Sequence, residues 1–545
     1  MKKTQWRTAP RNLTVAPATL ASDSVTLVWD KPDDTAAAGG YRIYRDGISI
    51  MKTRPAQTHA TIRGLTAATT YTFRVESMSA QAGDTKGWSC SSALTVRTKP
   101  HGVVIDVTQA PYLADATGKT LATTALQSAI DACPAGGMVW IPADAVILTG
   151  AIDLTSNLTL RIDGKLQGSS DPVDYTFTSE NRKNYKGSIN RDGLILTRYE
   201  GWEMYCYRSL INAGYLNTDN RREVTCENIR ICGRGTVYGG GNALGTAMKQ
   251  IYADREQYPR YVSDGIGGRR VRGRLIGLIQ CKNVHLTGIT VENPPCWTIH
   301  ILYCDTVTTH GLTIKSRGID NGDGWDPDSS RNLMIFDTTF DTGDDCIAVK
   351  SGKNPEGNAI SLPTENVRIF DLQMIGGHGM AIGSEESGGV ENVYLHDCII
   401  RDTNYGLELK AHPSRGGYIK HLVMEDCVID RFLAHSVDYN ADGTAAPSLP
   451  YFGDITIKNT MINGTGRAVE LIGFTRDDQD RSDDHYVRGI MLENVTLGSQ
   501  KDKTKEIYLK KCRDLTFKRV RLANGDQPLF TIDKKTVHHL RINDE

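Results

Sequence analysis

Two short acidic runs carry the strongest chemical suggestion in the 545-residue sequence. The first is Asp320-Asn321-Gly322-Asp323-Gly324-Trp325-Asp326-Pro327-Asp328, and the second is Gly343-Asp344-Asp345-Cys346. Carboxylates brought within contact range cannot all ionise cheaply, so one is left able to donate a proton while its neighbours accept one. That is the equipment of general acid and base catalysis. A calcium loop is a competing reading, but the twelfth residue counted from Asp320 is Arg331, and from Asp323 it is Met334, where a glutamate is required. Acidic turn residues capping their own backbone are equally compatible with this stretch taken alone. Downstream, Gly377-His378-Gly379 frees one histidine from neighbouring bulk, and Gly406-Leu407-Glu408-Leu409-Lys410 offers an ammonium to an anionic ligand.

These residues need elements that bring distant segments together. Similar short segments recur every 25 to 35 residues or so: Asn283-Val284-His285-Leu286, Asn332-Leu333-Met334-Ile335, Asn366-Val367-Arg368-Ile369, Asn392-Val393-Tyr394-Leu395 and Asp454-Ile455-Thr456-Ile457. Such spacing marks a solenoid, because each unit is too small to bury its apolar face alone. A parallel β-helix fits. A leucine-rich repeat is disfavoured, since the Leu-x-x-Leu-x-Leu register is absent and the periods vary. In a solenoid, residues one coil apart sit side by side, so Asp323, Asp344 and Asp345 converge. Ahead of the repeats, Leu126, Ala129, Ile130 and Cys133 share one face of a helix expected over 123–133, placed to cap the open end.

Residues 10–98 alternate β-rich runs with turns and form an expected sandwich; Trp29, the Tyr41-Arg42-Ile43-Tyr44 strand and Leu65 six residues before Tyr71 resemble a fibronectin type III domain. Residues 103–545 then form the solenoid. The fold class expected is all-β. Lys and Arg number 63 against 64 Asp and Glu, so no global field draws in nucleic acid or an anionic membrane. The 12 cysteines include no Cys-x-x-Cys pair and read as buried thiols. Lys2 and Lys3 are followed by Thr4, Gln5, Trp6 and Arg7 where an apolar leader segment would stand, so the chain as written reads as cytoplasmic, or periplasmic or secreted if a leader was removed.

The motifs Asn-x-Asp, Gly-Asp-Asp, Gly-His-Gly and a final basic strand, in this order, resemble the polygalacturonases of glycoside hydrolase family 28. The resemblance covers most of 103–545. It implies a right-handed parallel β-helix and hydrolysis of α-1,4-linked galacturonate with inversion, without metal or other cofactor. It further implies that Asp344 is the general acid, that Asp323 and Asp345 activate water, and that His378 holds the protonation pattern of Asp344. Lys410 would bind a sugar carboxylate, with Asn321, Arg274 and Arg415 as further substrate contacts. Two positions depart from the family pattern. Gly322 replaces Thr or Ser, and Glu408 replaces an arginine, a carboxylate that repels galacturonate unless Arg415 or Arg401 offsets it.

Two long, non-repetitive inserts, 171–222 and 242–274, are rich in Tyr and Arg: Tyr199, Trp202, Tyr205, Tyr207, Tyr258, Tyr261, Arg269, Arg270, Arg272 and Arg274. They are expected to wall off one end of the groove, with aromatic faces stacking on sugars and arginines gripping carboxylates. Asp-Pro-Asp-Ser-Ser after Trp325 also resembles the exo-acting bacterial members, which implies release of mono- or digalacturonate. The alternatives are endo cleavage, rhamnogalacturonan hydrolysis, a calcium-dependent lyase and a non-catalytic polysaccharide binder. The expected partner is polygalacturonate or its oligomers; neither nucleic acid, membrane nor a protein partner is inferred.

Overall fold

The computed structural model describes residues 9–32, 38–79, 89–179, 181–182, 184–476, 485–499, 501 and 504–543; Lys2, Lys3 and Trp6 lie outside them. Contacts divide the chain into two units, one formed mainly by residues 1–103 and the other by 104–133 and 138–545. In the first, Arg11–Val15, Ser24–Asp30 and His59–Arg63 make one antiparallel sheet, and Ile48–Thr53, Ala38–Arg45, Thr70–Ser79 and Leu94–Arg97 make the other. Their inner faces bury Trp29, Tyr41, Phe73, Val25, Leu27 and Ile43, with Trp29 edge-on to Tyr41 at 5.4 Å. The Thr66 N–H donates to the Tyr71 hydroxyl at 2.9 Å, which closes a tyrosine corner beside buried Leu65.

The second unit is a parallel β-helix of two long sheets, with 21 strands in one and 12 in the other among the described residues. The register explains the repeated segments. Val284, Val307, Leu333, Val367, Val393, Leu422, Ile455, Ile490 and Leu515 pair in succession and form one buried aliphatic column. The residue just before each apolar run turns the chain: Asn283, Asn332, Asn366, Asn392 and Asp454 all have φ between 56° and 60°. Asn and Asp tolerate this left-handed region better than other side chains, and the asparagines also bond along the stack, Asn366 to Asn332 at 3.2 Å and Asn392 to Asn366 at 3.3 Å. The recurrent Asn is therefore a corner, and the aliphatics after it are the core.

The helix Thr123–Ala132 buries Leu126, Ala129 and Ile130 and packs against the strand Ile152–Leu154 of the first coils; Cys133 is its half-buried cap. The 12-stranded sheet carries the functional face. Its central strands run Ile276–Ile279, Ile299–Leu302, Trp325–Asp328, Ile347–Val349, Gly379–Gly383, Gly406–Ala411 and Phe432–Ser436. None of the 12 cysteines forms a disulfide, and ten of them are buried.

Candidate active site

Strand register assembles the site. Trp325 pairs with Ile347, Ile347 with Met380, and Met380 with Leu407. Two residues before these partners stand Asp323, Asp345, His378 and Tyr405, so the four motifs are successive rungs of one ladder. Backbone bonds continue the pairing beyond the strands: Gly324 N–H to Asp345 O at 2.9 Å, His378 N–H to Asp344 O at 2.9 Å and Tyr405 N–H to His378 O at 3.1 Å. The flanking glycine has a spatial reason. A Cβ on Gly377 would sit 2.1 Å from the Thr342 hydroxyl, and φ there is 81°, so no side chain fits beside His378.

A cavity of about 420 Å³ lies over this ladder. The His378 Nδ1 is 2.9 Å from Asp344 Oδ1 and 3.5 Å from Asp345 Oδ1, and the Asp345 N–H donates to Asp344 Oδ1 at 3.0 Å. The two carboxylates push the imidazole up to about 10. Burial works against ionisation of Asp344, but its bond to His378 and the charges of His378, Lys410 and Lys350 hold it down at about 2. His378 and Asp344 therefore form an ion pair that shares one proton.

The other carboxylates behave in the opposite sense. Burial and the adjacent Asp326 charge raise Asp323 well above its ordinary range, and burial raises Asp326 to about 7 against the pull of Lys350. At neutral pH the pair accordingly retains a proton. Lys350, which sequence reasoning missed, is the buried counter-charge. Its Nζ is 3.2 Å from Asp323, 3.7 Å from Asp326 and 3.8 Å from Glu385, and it stands 4.4 Å over the Trp297 ring. A lysine ending the apolar strand Ile347–Val349 was the available signal; only the Asp328–Lys350 bridge reveals that it faces the acidic rungs.

Lys410 Nζ lies 3.6 Å from Asp345 and 3.0 Å from Glu408. Glu408 is offset by Lys410 and by His435, whose Nε2 is 3.0 Å away and whose Nδ1 is 2.9 Å from Glu470. Neither arginine expected to offset it does so. Arg415 is fully buried, donating to the Asn440 carbonyl at 2.7 Å and to Asn354, and pairing with Asp442 at 3.7 Å. Arg401 is exposed beside the strand Ile399–Ile400 of the other sheet. Arg415 therefore does not line the cavity, and neither does Arg274. Buried Arg274 bonds the Arg198 carbonyl and lies 4.5 Å from the Tyr199 ring and 5.0 Å from Trp297, filling space behind the cavity wall. Asn321 does line the cavity. Its Oδ1 accepts from Arg269 at 2.9 Å and Arg272 at 2.6 Å, and its Nδ2 points toward Asp344 at 3.5 Å.

The inserts are packed structure: the hairpin Ile195–Tyr199 with Trp202–Cys206, the helix Gly241–Ile251, and the turns Pro259–Tyr261 and Arg269–Val271. Most of their rings pack on protein instead of presenting faces to the groove. Tyr199 stacks beneath Trp297 at 4.9 Å, and Tyr252 takes Tyr258 and Tyr261 edge-on at 4.9 and 5.0 Å. Arg270 is held by Glu200 at 2.8 Å and Asp442 at 2.7 Å. What reaches the cavity is Glu200, Ser263, Asp264 and Arg269. Arg269 closes the cavity's amino-terminal side by donating to Asn321 at 2.9 Å and Asp320 at 3.2 Å, while Arg270 carries the inserts along one flank as far as Asp442.

Asp344, Asp345 and His378 also present donor atoms close enough for a metal ion. Here the donor set is already neutralised by His378 and Lys410, and an ion would have to displace the imidazole proton.

Residues 222–470 match the family profile described as Glycosyl hydrolases family 28, and residues 8–93 match the Fibronectin type III domain. The chain carries a glycoside hydrolase family 28 domain. Among curated proteins it is 27% identical over 97% of its length, and 94% of the relative's, to the exo-poly-alpha-D-galacturonosidase of Dickeya chrysanthemi. An endo-polygalacturonase of Pectobacterium carotovorum subsp. carotovorum is 27% identical over 64% of this chain and 79% of that one. Of solved structures, the family 28 exopolygalacturonase of Yersinia enterocolitica superposes with a TM-score of 0.79 at 24% identity, covering 98% of this chain and 99% of that one. The chain is a glycoside hydrolase, and its fold is the expected parallel β-helix, preceded in the sequence by a fibronectin type III domain.

Proposed function

We propose that the protein hydrolyses α-1,4-galacturonosidic bonds of polygalacturonate or its oligomers, cutting from a chain end with inversion. The observation that carries this reading is the ladder itself: three carboxylates and an imidazolium on adjacent rungs, with an ammonium one rung on, in a cavity walled on its amino-terminal side by the inserts. The relatives named as acting on galacturonan support the substrate class, and the Dickeya relative's name supports exo action.

In the reaction, the His378–Asp344 pair acts as one acid. The shared proton passes from Nδ1 through Asp344 to the leaving glycosidic oxygen as the C–O bond breaks. Water attacks the anomeric carbon from the other face, and its proton goes to Asp345 or to the ionised member of the Asp323–Asp326 pair. Lys410 binds the carboxylate of the sugar beside the scissile bond, a charge-assisted contact that neutral sugars do not make. Lys350 keeps the base region from filling with protons. Asp344, Asp323, Asp345 and His378 are thus read as the reacting groups, and Lys410 and Asn321 as substrate contacts.

The test is a time course of purified protein on polygalacturonate, with products separated by length and viscosity followed in parallel. Mono- or digalacturonate from the start, with little early fall in viscosity, is expected. A rapid viscosity drop with mid-length oligomers would establish endo cleavage; products with unsaturated ends would establish a lyase; no new reducing ends would leave a polysaccharide-binding β-helix.

A further inference from the structure

A second cavity, of about 610 Å³, opens on the carboxy-terminal side of Lys410 and has no part in the chemistry above. Its lining includes His412, Asp438, Ile472, Arg476, Lys510 and Lys511. The two cavities are lined by neighbouring residues of the same segments. Lys410 faces the first and His412 the second; Tyr439 and Asn440 face the first, Ser436 and Asp438 the second.

Register measures how far apart they lie. Lys410 pairs with His435, His435 with Ile472, and Ile472 with Lys510, so Lys510 stands in the column of Lys410 three strands on. At roughly 4.8 Å per strand step, that is about 14 Å along the helix axis, the length of a few linked sugar rings. Two cationic side chains, Arg476 and Lys510, face the cavity together with the carboxylate of Asp438 among the described lining residues. Burial and the charge of Arg415 lower His412, which leaves it a neutral imidazole. Arg476 is anchored by donating to the Ala446 carbonyl.

The walled end of the catalytic cavity sets direction. A polymer whose terminus is seated against Glu200, Ser263 and Arg269, with a carboxylate on Lys410, has only the carboxy-terminal rungs left to run over, and the second cavity lies on that path. We propose that this cavity is a distal subsite that grips a carboxylate-bearing sugar of the departing chain, a few residues beyond the bond that is cut. The inference rests on the polygalacturonate reading given above. Short oligomers end before they reach the subsite, so its binding energy is available to long chains alone.

The experiment compares a trimer with an octamer of galacturonate in the wild type and in the double variant Arg476→Ala, Lys510→Ala. The quantity read is the ratio of kcat/KM for octamer to that for trimer, which cancels any fraction of misfolded protein. That ratio is expected to fall about tenfold, the scale of two partly exposed charge-assisted contacts, and the wild-type ratio is expected to drop with added salt. An unchanged ratio overturns the subsite. Should neither protein cleave either oligomer, the hydrolysis reading fails, and octamer binding measured by calorimetry decides the subsite by itself. A roughly tenfold weaker Kd in the double variant upholds it, and an equal Kd overturns it.

Discussion

Replacing Asp344 with asparagine keeps the shape of the site and removes one of the two carboxylates that hold His378 charged. Moving an imidazole from its ordinary 6.5 to about 10 corresponds to at most about 5 kcal/mol of preference for the charged form, at about 1.4 kcal/mol per tenfold change in proton affinity. The two side chains are 30% and 27% exposed, so solvent screening reduces the realised figure to ~2–3 kcal/mol. Asp344 is the nearer partner, at 2.9 Å against 3.5 Å for Asp345, and its bond is the largest single contribution to the shift. The signs follow from both shifts: the pair's stabilisation is complete between about pH 4 and pH 6.5, disappears as the pH rises through about 10, and is lost again at low pH as Asp344 takes up a proton near 2. In the Asp344→Asn variant His378 is expected to titrate lower by about one to two pH units. Hydrolysis is expected to fall at least a hundredfold, since an amide cannot relay the proton. The assay is NMR titration of the histidine ring protons, with the His378 resonance identified by its loss in His378→Gln. A wild-type His378 that titrates near 6.5, or one that Asp344→Asn leaves unmoved, refutes the shared-proton acid.

Lys350→Met should move the acid limb of the kcat/KM profile to higher pH, because Asp323 and Asp326 lose their cation at 3.2 and 3.7 Å and hold protons more tightly. Activity at pH 5 should fall more than about tenfold relative to pH 8, Lys350→Arg should restore much of it, and an unmoved limb counts against the role. Glu408→Gln should release Lys410 from its 3.0 Å partner and remove a repulsive charge, lowering KM for oligogalacturonates by about threefold with a smaller change in kcat; an unchanged or raised KM contradicts this. Chelator should leave hydrolysis unaffected, because His378 and Lys410 already neutralise the only donor cluster at the site among the described residues; activity lost to chelator and restored by Ca²⁺ would overturn the proton-based mechanism.

The repeat, the β-helix and the acidic, histidine and lysine motifs were legible in the sequence, because each depends on local chemistry. An asparagine at a positive-φ corner followed by alternating aliphatics marks its own place on a coil, and Gly377 must be glycine wherever the chain passes Thr342. The adjacency of Asp323, Asp345 and His378 was also foreseeable, since a solenoid sets successive coils side by side. Partnership across longer distances was not. Arg274 and Arg415 sit in Arg- and Gly-rich stretches that read as surface, yet aromatic stacking buries one and the Asn354, Asn440 and Asp442 contacts bury the other. Lys350 and His435 looked like ordinary strand residues until the register set one among three carboxylates and the other between two. A side chain's charge is written in its own residue type. Which charge it meets depends on coil length, and coil length varies with inserts whose packing only the folded chain decides.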